Sequence, residues 1–310
     1  MLRAGLLAFA LWGGVACGAA AAAPGPMPLP KGGPTIEIGD VYRFYRIYDA
    51  AGGHPTAEQL QHDYLDVGSA GLRHLAEARN VTGARIAEAI GKRPEIYTGA
   101  RRCMAVLPRV RVRLRAALLR LAQLYPQARF PPVTIAVGRG KPVAIGGPEH
   151  GVQVGLEALC ATDMLNGDVE DRFVHVIAHE YAHVQQLIDD DHPTVLEGSL
   201  LEGAAEFTAE LISGEVANAN LIAFATGRER QIETQFVPDE GSLDTSRWLY
   251  NGPGKPDWPQ DLGYWVGYRI CKSYYQHAAD RRHALGDILE MTDPPLFLAK
   301  SGWYPGIVLK

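Results

Sequence analysis

Residues 173–186 read Phe-Val-His-Val-Ile-Ala-His-Glu-Tyr-Ala-His-Val-Gln-Gln. Two imidazoles, His179 and His183, stand four positions apart, with Glu180 beside the first. On a helix such positions share a face and lie about 6 Å apart along the axis. Two ring nitrogens at that spacing can close on one Zn²⁺ at about 2 Å each. Glu180 falls one step round the helix from His179, so it can reach a water at the metal without being a ligand. That is where a general base is needed. The competing reading is an accident among ten histidines, and a third ligand is the test of it.

A catalytic zinc keeps three protein ligands and one open position. Downstream runs Leu200-Leu201-Glu202-Gly203-Ala204-Ala205-Glu206-Phe207, with Glu202 nineteen positions after His183 (202 − 183). A turn around Asp191-His192-Pro193 leaves room for one helix to end and a second to return alongside. Glu202 and Glu206 share a face of that second helix. Glu202 is the expected third ligand. Glu206 is the expected carboxylate behind it, holding a ligand imidazole by its other ring N–H. A purely structural zinc is disfavoured, because such sites usually contain Cys and close all four positions. His175 and the remaining histidines read as structural or exposed.

The elements around this pair of helices are legible to different degrees. Phe173, Val174, Val176, Ile177, Ala178, Ala182 and Val184 make the first helix largely buried. Asp40 is a candidate cap for Val41–Ala50, and Thr56 with Gln59 forms a capping box for the segment to Val67. Short helices are expected over 71–80 and 82–90. The apolar series Leu107, Val110, Leu114, Ala117, Leu118, Leu121 and Leu124 makes one long amphipathic helix ending at Pro126. Its outer face carries Arg109, Arg113 and Arg120, read as a solvated face, with anionic-surface binding as the alternative. Val133–Val137, Pro142–Ile145 and Gly151–Glu157 are expected strands. Helices follow near 215–227 and 228–236, then a loop over 251–259. A last helix opens at Asp261 as cap and runs to about His277, with Gly263 and Gly267 permitting a close approach.

Composition sets the class. A net charge of −5 with 47% apolar residues describes a soluble globular chain without the basic surplus that nucleic acid requires. Met1-Leu2-Arg3 followed by the apolar run Ala4–Ala16 reads as a secretory signal, with small-residue cleavage choices up to Ala23 and a linker over 24–34. Cys17 sits in a poor approximation of a lipobox and leaves a lipid anchor open. Export permits disulfides. Of Cys103, Cys160 and Cys271, the preferred pair is Cys103–Cys160, with three buried thiols as the alternative.

His179-Glu180-x-x-His183 followed by Glu202 resembles the gluzincin metallopeptidases, the class that includes thermolysin and the M1 aminopeptidases. Glu202-Gly203-Ala204-Ala205-Glu206 looks like the E-G-x-A of the M1 group. Residues from about 130 onward resemble a bacterial family of predicted zinc-dependent proteases called YjaZ-like. The resemblance implies an α+β zincin core over 127–310, mostly helical with a small mixed sheet; with the helical N-terminal part over 35–126 read from its own caps and apolar spacing, this makes one domain at 35–310. It implies one Zn²⁺ per chain on His179, His183 and Glu202, Glu180 as base, and a peptide or protein substrate. It also implies an edge strand that pairs with substrate; Gly151–Glu157 is the candidate. Glu157 would then bind a substrate amine, although the M1 group's G-A-M-E-N is missing and a surface carboxylate is the plainer reading. The M1 oxyanion donor lies in a Y-x-x-G sequence, matched by Tyr264-Trp265-Val266-Gly267. Tyr264 is therefore the expected donor, Tyr268 the reserve, and Arg269 or His277 poorer substitutes; core aromatics are the bland alternative. The expected setting is periplasmic or secreted, with membrane contact only through Cys17. A peptide-binding or chaperone-like protein without turnover is the alternative function, which the intact Glu180 disfavours.

Overall fold

A computed structural model describes residues 33–162, 165–187, 192–252 and 254–310. The expected signal segment, most of the linker, Cys17 and Asp191 lie outside the described residues. The N-terminal part holds β1 (Ile36–Glu37) and seven helices: α1 (Gly39–Ala50), α2 (Ala57–Gln59), α3 (Ala70–Ala78), α4 (Gly83–Lys92), α5 (Pro94–Gly99), α6 (Arg101–Met104) and α7 (Leu107–Leu124). The Thr56–Gln59 capping box is present, but it opens a short α2 that passes into a π-helical turn at Leu60–Leu65. Asp40 is not a cap. It lies inside the first turn of α1, where its buried carboxylate pairs with Arg43 and accepts from the Ser69 N–H.

β2 (Val133–Ala136), β3 (Ala144–Gly147) and β4 (Gly151–Gly155) complete a sheet of order β1-β2-β4-β3. β1, β2 and β4 are parallel, and β3 returns antiparallel to β4. The expectation that Gly151–Glu157 is the edge strand is therefore corrected. β4 is interior and buried throughout, and the edges are β1 and β3. β3 lies against the helix that carries Glu180: a Cβ at Gly146 would fall 2.1 Å from the Glu180 carbonyl oxygen, so only glycine allows this approach.

The chain continues through α8 (Leu156–Ala161), α9 (Val169–His183), α10 (Val195–Ser213), α11 (Ala219–Ala225), α12 (Glu229–Phe236), α13 (Leu262–His277), α14 (Arg281–Leu289) and α15 (Pro294–Lys300). Cys103 of α6 is disulfide-bonded to Cys160 of α8, and Cys271 is free and buried. α9 starts on an Asp168 cap that accepts from Asp171 N at 3.0 Å. Its first-turn acids Glu170 and Asp171 pair with Arg109 and Arg113 of α7, so part of the solvent-facing basic row is engaged with α9. α10 begins on a capping box, Thr194 with Glu197, and ends at Gly214 with φ +101°.

Two apolar cores result. One joins the N-terminal helices, the sheet and α9. The other lies among α10–α15. α10 belongs to both: Ala205, Ala209 and Ile212 face the first core, and Val195, Leu200, Ala204 and Phe207 the second. α10 and α13 touch backbone to backbone. A Cβ at Gly267 would lie 1.7 Å from the Ser199 carbonyl oxygen, and one at Gly203 would lie 2.1 Å from the Gly267 carbonyl carbon.

This contact yields a prediction. Gly267→Ala forces two helix backbones apart and should destabilise the protein by about 3 kcal/mol. Gly91→Ala, on an exposed turn of α4 with nothing within 4 Å, should be neutral or stabilising by up to about 1 kcal/mol. Denaturant titrations of both variants measure the difference; equal stabilities would refute the close-contact account.

Candidate metal centre

Three donor atoms converge where α9 and α10 cross. His179 Nε2 lies 3.2 Å from Glu202 Oε2, His183 Nε2 lies 3.3 Å from the same oxygen, and the two Nε2 atoms are 3.2 Å apart. Tetrahedral Zn²⁺ with bonds near 2.05 Å holds its ligands about 3.3 Å from one another. The triangle thus matches in both size and donor chemistry. Among the described residues it is the one group of His, Cys, Asp and Glu able to hold a metal in this way. His179 and Glu202 are buried, and His183 is half-buried.

Each donor has a partner behind it. His179 Nδ1 faces Glu206 Oε1 at 3.0 Å, off the ideal hydrogen-bond line. Glu206 is itself held by the Ala217 N–H at 2.9 Å, the Asn218 N–H at 3.3 Å and the Asn218 amide. His183 Nδ1 contacts Gln186 Oε1 at 2.6 Å, while the Gln186 amide donates to the Leu201 carbonyl of α10. The Tyr250 hydroxyl donates to Glu202 Oε1 at 2.8 Å, leaving Oε2 turned toward the imidazoles.

The charges are strongly coupled. Burial alone would raise the Glu202 pKa, but the His183 and His179 imidazoles outweigh it and hold the carboxyl well below its usual range. Burial would lower both histidines; Glu206 and Glu202 push His179 well up, and Glu202 raises His183. Glu180 is raised by burial, a shift that His183 and His179 moderate.

The Tyr264 ring lies parallel to that of His179, at a centroid distance of 6.0 Å. Burial and then the Glu202 charge push its phenol well above the ordinary value. Tyr268, one turn on, is elsewhere: its hydroxyl donates to Glu210 at 3.1 Å and accepts from Lys272 at 2.9 Å. Arg269 pairs with Glu233, and His277 contacts the Ser273 carbonyl. Glu157 is neither a surface carboxylate nor open to an amine. It is fully buried and accepts the N–H groups of Gly138 and Gly140, which hold the β2–β3 connection. Asp261 is not a side-chain cap; it sits at φ +58° and accepts the Tyr250 N–H at 2.6 Å.

Gln186 and Tyr250 were not expected here. Gln186 was legible in principle, three positions after His183 on the same helical face. Tyr250 lies at φ +54° after the Trp248 turn, where no periodicity points to it.

Residues 159–288 match a family model described as predicted Zn-dependent protease (DUF2268). The matched stretch contains α9, α10 and α13, with all the residues of the cluster. No curated protein and no solved structure matches the chain significantly.

The coupled charges predict a pH window in metal-free protein. Glu202, with its pKa depressed, contributes stability above the carboxyl value of 4.5 and loses it as pH falls through the folded value. His179 and His183, with theirs raised, contribute fully below 6.5 and lose it as pH rises through their folded values. Chelator-treated wild type should therefore exceed Glu202→Gln in stability most between about pH 4.5 and 6.5. Thermal melts across pH measure this, and a difference independent of pH would remove the charge coupling.

Proposed function

We propose that the chain is an exported zinc metallopeptidase of gluzincin type. The observation that carries this reading is the triangle of two Nε2 atoms and Glu202 Oε2 at 3.2–3.3 Å, with Glu180 between the two histidines on the same helix. The family match supports the coarser statement, a zinc-dependent protease. Zinc held by His179, His183 and Glu202 would supply Lewis-acid polarisation of a peptide carbonyl and a coordinated water of lowered pKa.

The chain's own groups do the rest. Glu180, its carboxyl raised by burial yet beside two imidazoles, takes the proton of the attacking water. It then delivers that proton to the leaving nitrogen. Tyr264 donates its hydroxyl to the carbonyl oxygen as negative charge gathers there. Glu206 and Gln186 fix the ring orientations of His179 and His183. An extended substrate adds to the outer edge of β3, the strand that Gly146 seats on the Glu180 backbone. This transfers to β3 the role that sequence reasoning gave to β4.

The first test separates metal binding from turnover. Purified protein should carry about one Zn²⁺ per chain, lost in His179→Ala, His183→Ala and Glu202→Ala. Glu180→Gln should keep the zinc and lose cleavage of an unstructured protein by about 10²–10⁴-fold. Full zinc with unchanged cleavage in Glu180→Gln would end the mechanism. Full zinc with no cleavage by wild type would favour a binding protein.

The second test ranks the tyrosines. Tyr264→Phe should keep zinc and lose mainly kcat, by about 10²–10³-fold. Tyr250→Phe should weaken zinc affinity about tenfold, because its hydroxyl holds the free oxygen of a ligand. Tyr268→Phe should change neither quantity. A loss of kcat in Tyr268→Phe equal to that in Tyr264→Phe would withdraw the assignment of Tyr264.

A further inference from the structure

Helix α7 holds five arginines and no acidic residue over Leu107–Leu124, in a chain of net charge −5. Its inner face, Leu107, Val110, Leu114, Ala117, Leu118 and Leu121, is buried. The outer face is not simply polar. Val112 is 71% exposed and Leu119 40% exposed, with exposed Ala116 between them. At 3.6 residues per turn these three fall on one ridge, and the arginines stand about 60–100° to either side of Val112. Arg111 and Arg115 flank one side; Arg109, Arg113 and Arg120 flank the other.

Arg109 and Arg113 are engaged with Glu170 and Asp171. Arg111, Arg115 and Arg120 make no ion pair among the described residues. Arg120 also borders a cleft of about 900 Å³ whose other charged walls are Lys272, Arg281, Lys310 and Glu210. Positive charge thus extends from α7 onto the neighbouring surface.

We propose that the outer face of α7 docks the protein onto an anionic lipid surface. An exposed apolar ridge flanked on both sides by long cationic side chains fits a bilayer interface: the aliphatic groups enter the headgroup layer and the guanidinium groups reach phosphates. A soluble polyanion would use the arginines but give Val112 and Leu119 nothing to bury against. The path of the chain agrees. At Gly33, where the described chain begins, a Cβ would lie 3.3 Å from Arg115 Cδ, so the chain enters beside one flank of this face. Upstream in sequence lie the apolar run Ala4–Ala16 and Cys17.

Each basic side chain near an anionic surface strengthens binding about fivefold, so the three unpaired arginines together contribute about 100-fold. The test is flotation of the full-length chain with vesicles of phosphatidylcholine alone or mixed with phosphatidylglycerol. Any attachment by the N-terminal apolar run acts on both vesicle types, so the difference between them isolates α7. Wild type should prefer the mixed vesicles about 100-fold and lose that preference in high salt. The triple variant Arg111→Ser, Arg115→Ser, Arg120→Ser should lose the preference. Val112→Ser with Leu119→Ser should weaken vesicle binding but leave retention on heparin unchanged. All five positions are exposed, and melting temperatures verify that each variant folds. Equal wild-type binding to both vesicle types, or a triple variant that still prefers the mixed ones, would overturn the proposal. So would a Val112/Leu119 variant that binds vesicles as tightly as wild type, since the face would then be a site for soluble acidic partners.

Discussion

A carboxylate removed from water is strongly disfavoured unless hydrogen bonds or opposite charge replace its solvation. Among the described residues four glutamates are buried, Glu157, Glu202, Glu206 and Glu233, and their partners differ in kind. Glu157 is satisfied by backbone N–H groups of Gly138 and Gly140. Glu233 has Arg269, the Trp303 indole N–H and the Gly306 N–H. Glu206 has the N–H groups of Ala217 and Asn218 besides His179. Glu202 alone of the four rests on two imidazoles and a phenol. The first three sets of donors cannot leave without local unfolding. The imidazoles can lose their protons, and only another cation between the same atoms can then replace the lost charge. Proton and metal thus compete for one set of lone pairs, and the fold around Glu202 must accommodate both.

That requirement explains why the site lies at the seam of two cores. α9 is fixed by the first core and by the arginine pairs at its N-terminus. α13 is fixed in the second. α10 is shared, so its register relative to α9 sets the ligand triangle and its register relative to α13 sets Tyr264. Glycine at 203 and 267 lets the second register be defined by backbone contact, which has less freedom than interdigitated side chains. Tyr264 is carried to the ring of His179 by that contact.

Short-range patterns in the chain revealed what depends on short-range geometry. His179, His183, Glu180 and the pairing of Glu202 with Glu206 follow from i,i+4 spacing, and the glycine spacing of α13 correctly announced a close neighbour. The limits of α7 could be read from its apolar period and Pro126. What could not be read depends on the return path of the chain. Strand order placed β3 and not β4 at the edge, because β4 pairs in parallel with β2 across residues 137–150, a connection with no local signature. Glu157 looked like a surface carboxylate because its partners are backbone amides, which are the same in any sequence. Asp261 looked like a cap by type and position, but φ +58° turns its carboxylate to Tyr250.

Tyr250 and Asp261 both occupy the left-handed region, where a non-glycine residue costs on the order of 1 kcal/mol or more. Such conformations persist where neighbouring contacts over-determine them. Here Asp261 accepts the Tyr250 N–H, Asn251 Oδ1 accepts the Asp261 N–H at 2.9 Å, and the Tyr250 hydroxyl ends on Glu202 Oε1. The first two contacts bind the loop to itself. The third binds it to the site, as does the edge-on contact of the Tyr250 ring with Tyr264 at 6.4 Å, and both act through a tyrosine that is 58% exposed. Loop and ligand therefore stabilise each other. Tyr250 selects which oxygen of Glu202 faces the imidazoles, and Glu202 gives the strained turn at Tyr250 a buried partner. Deleting that hydroxyl would free both at once. For this reason zinc affinity, more than the rate of the chemical step, is the property on which Tyr250 acts.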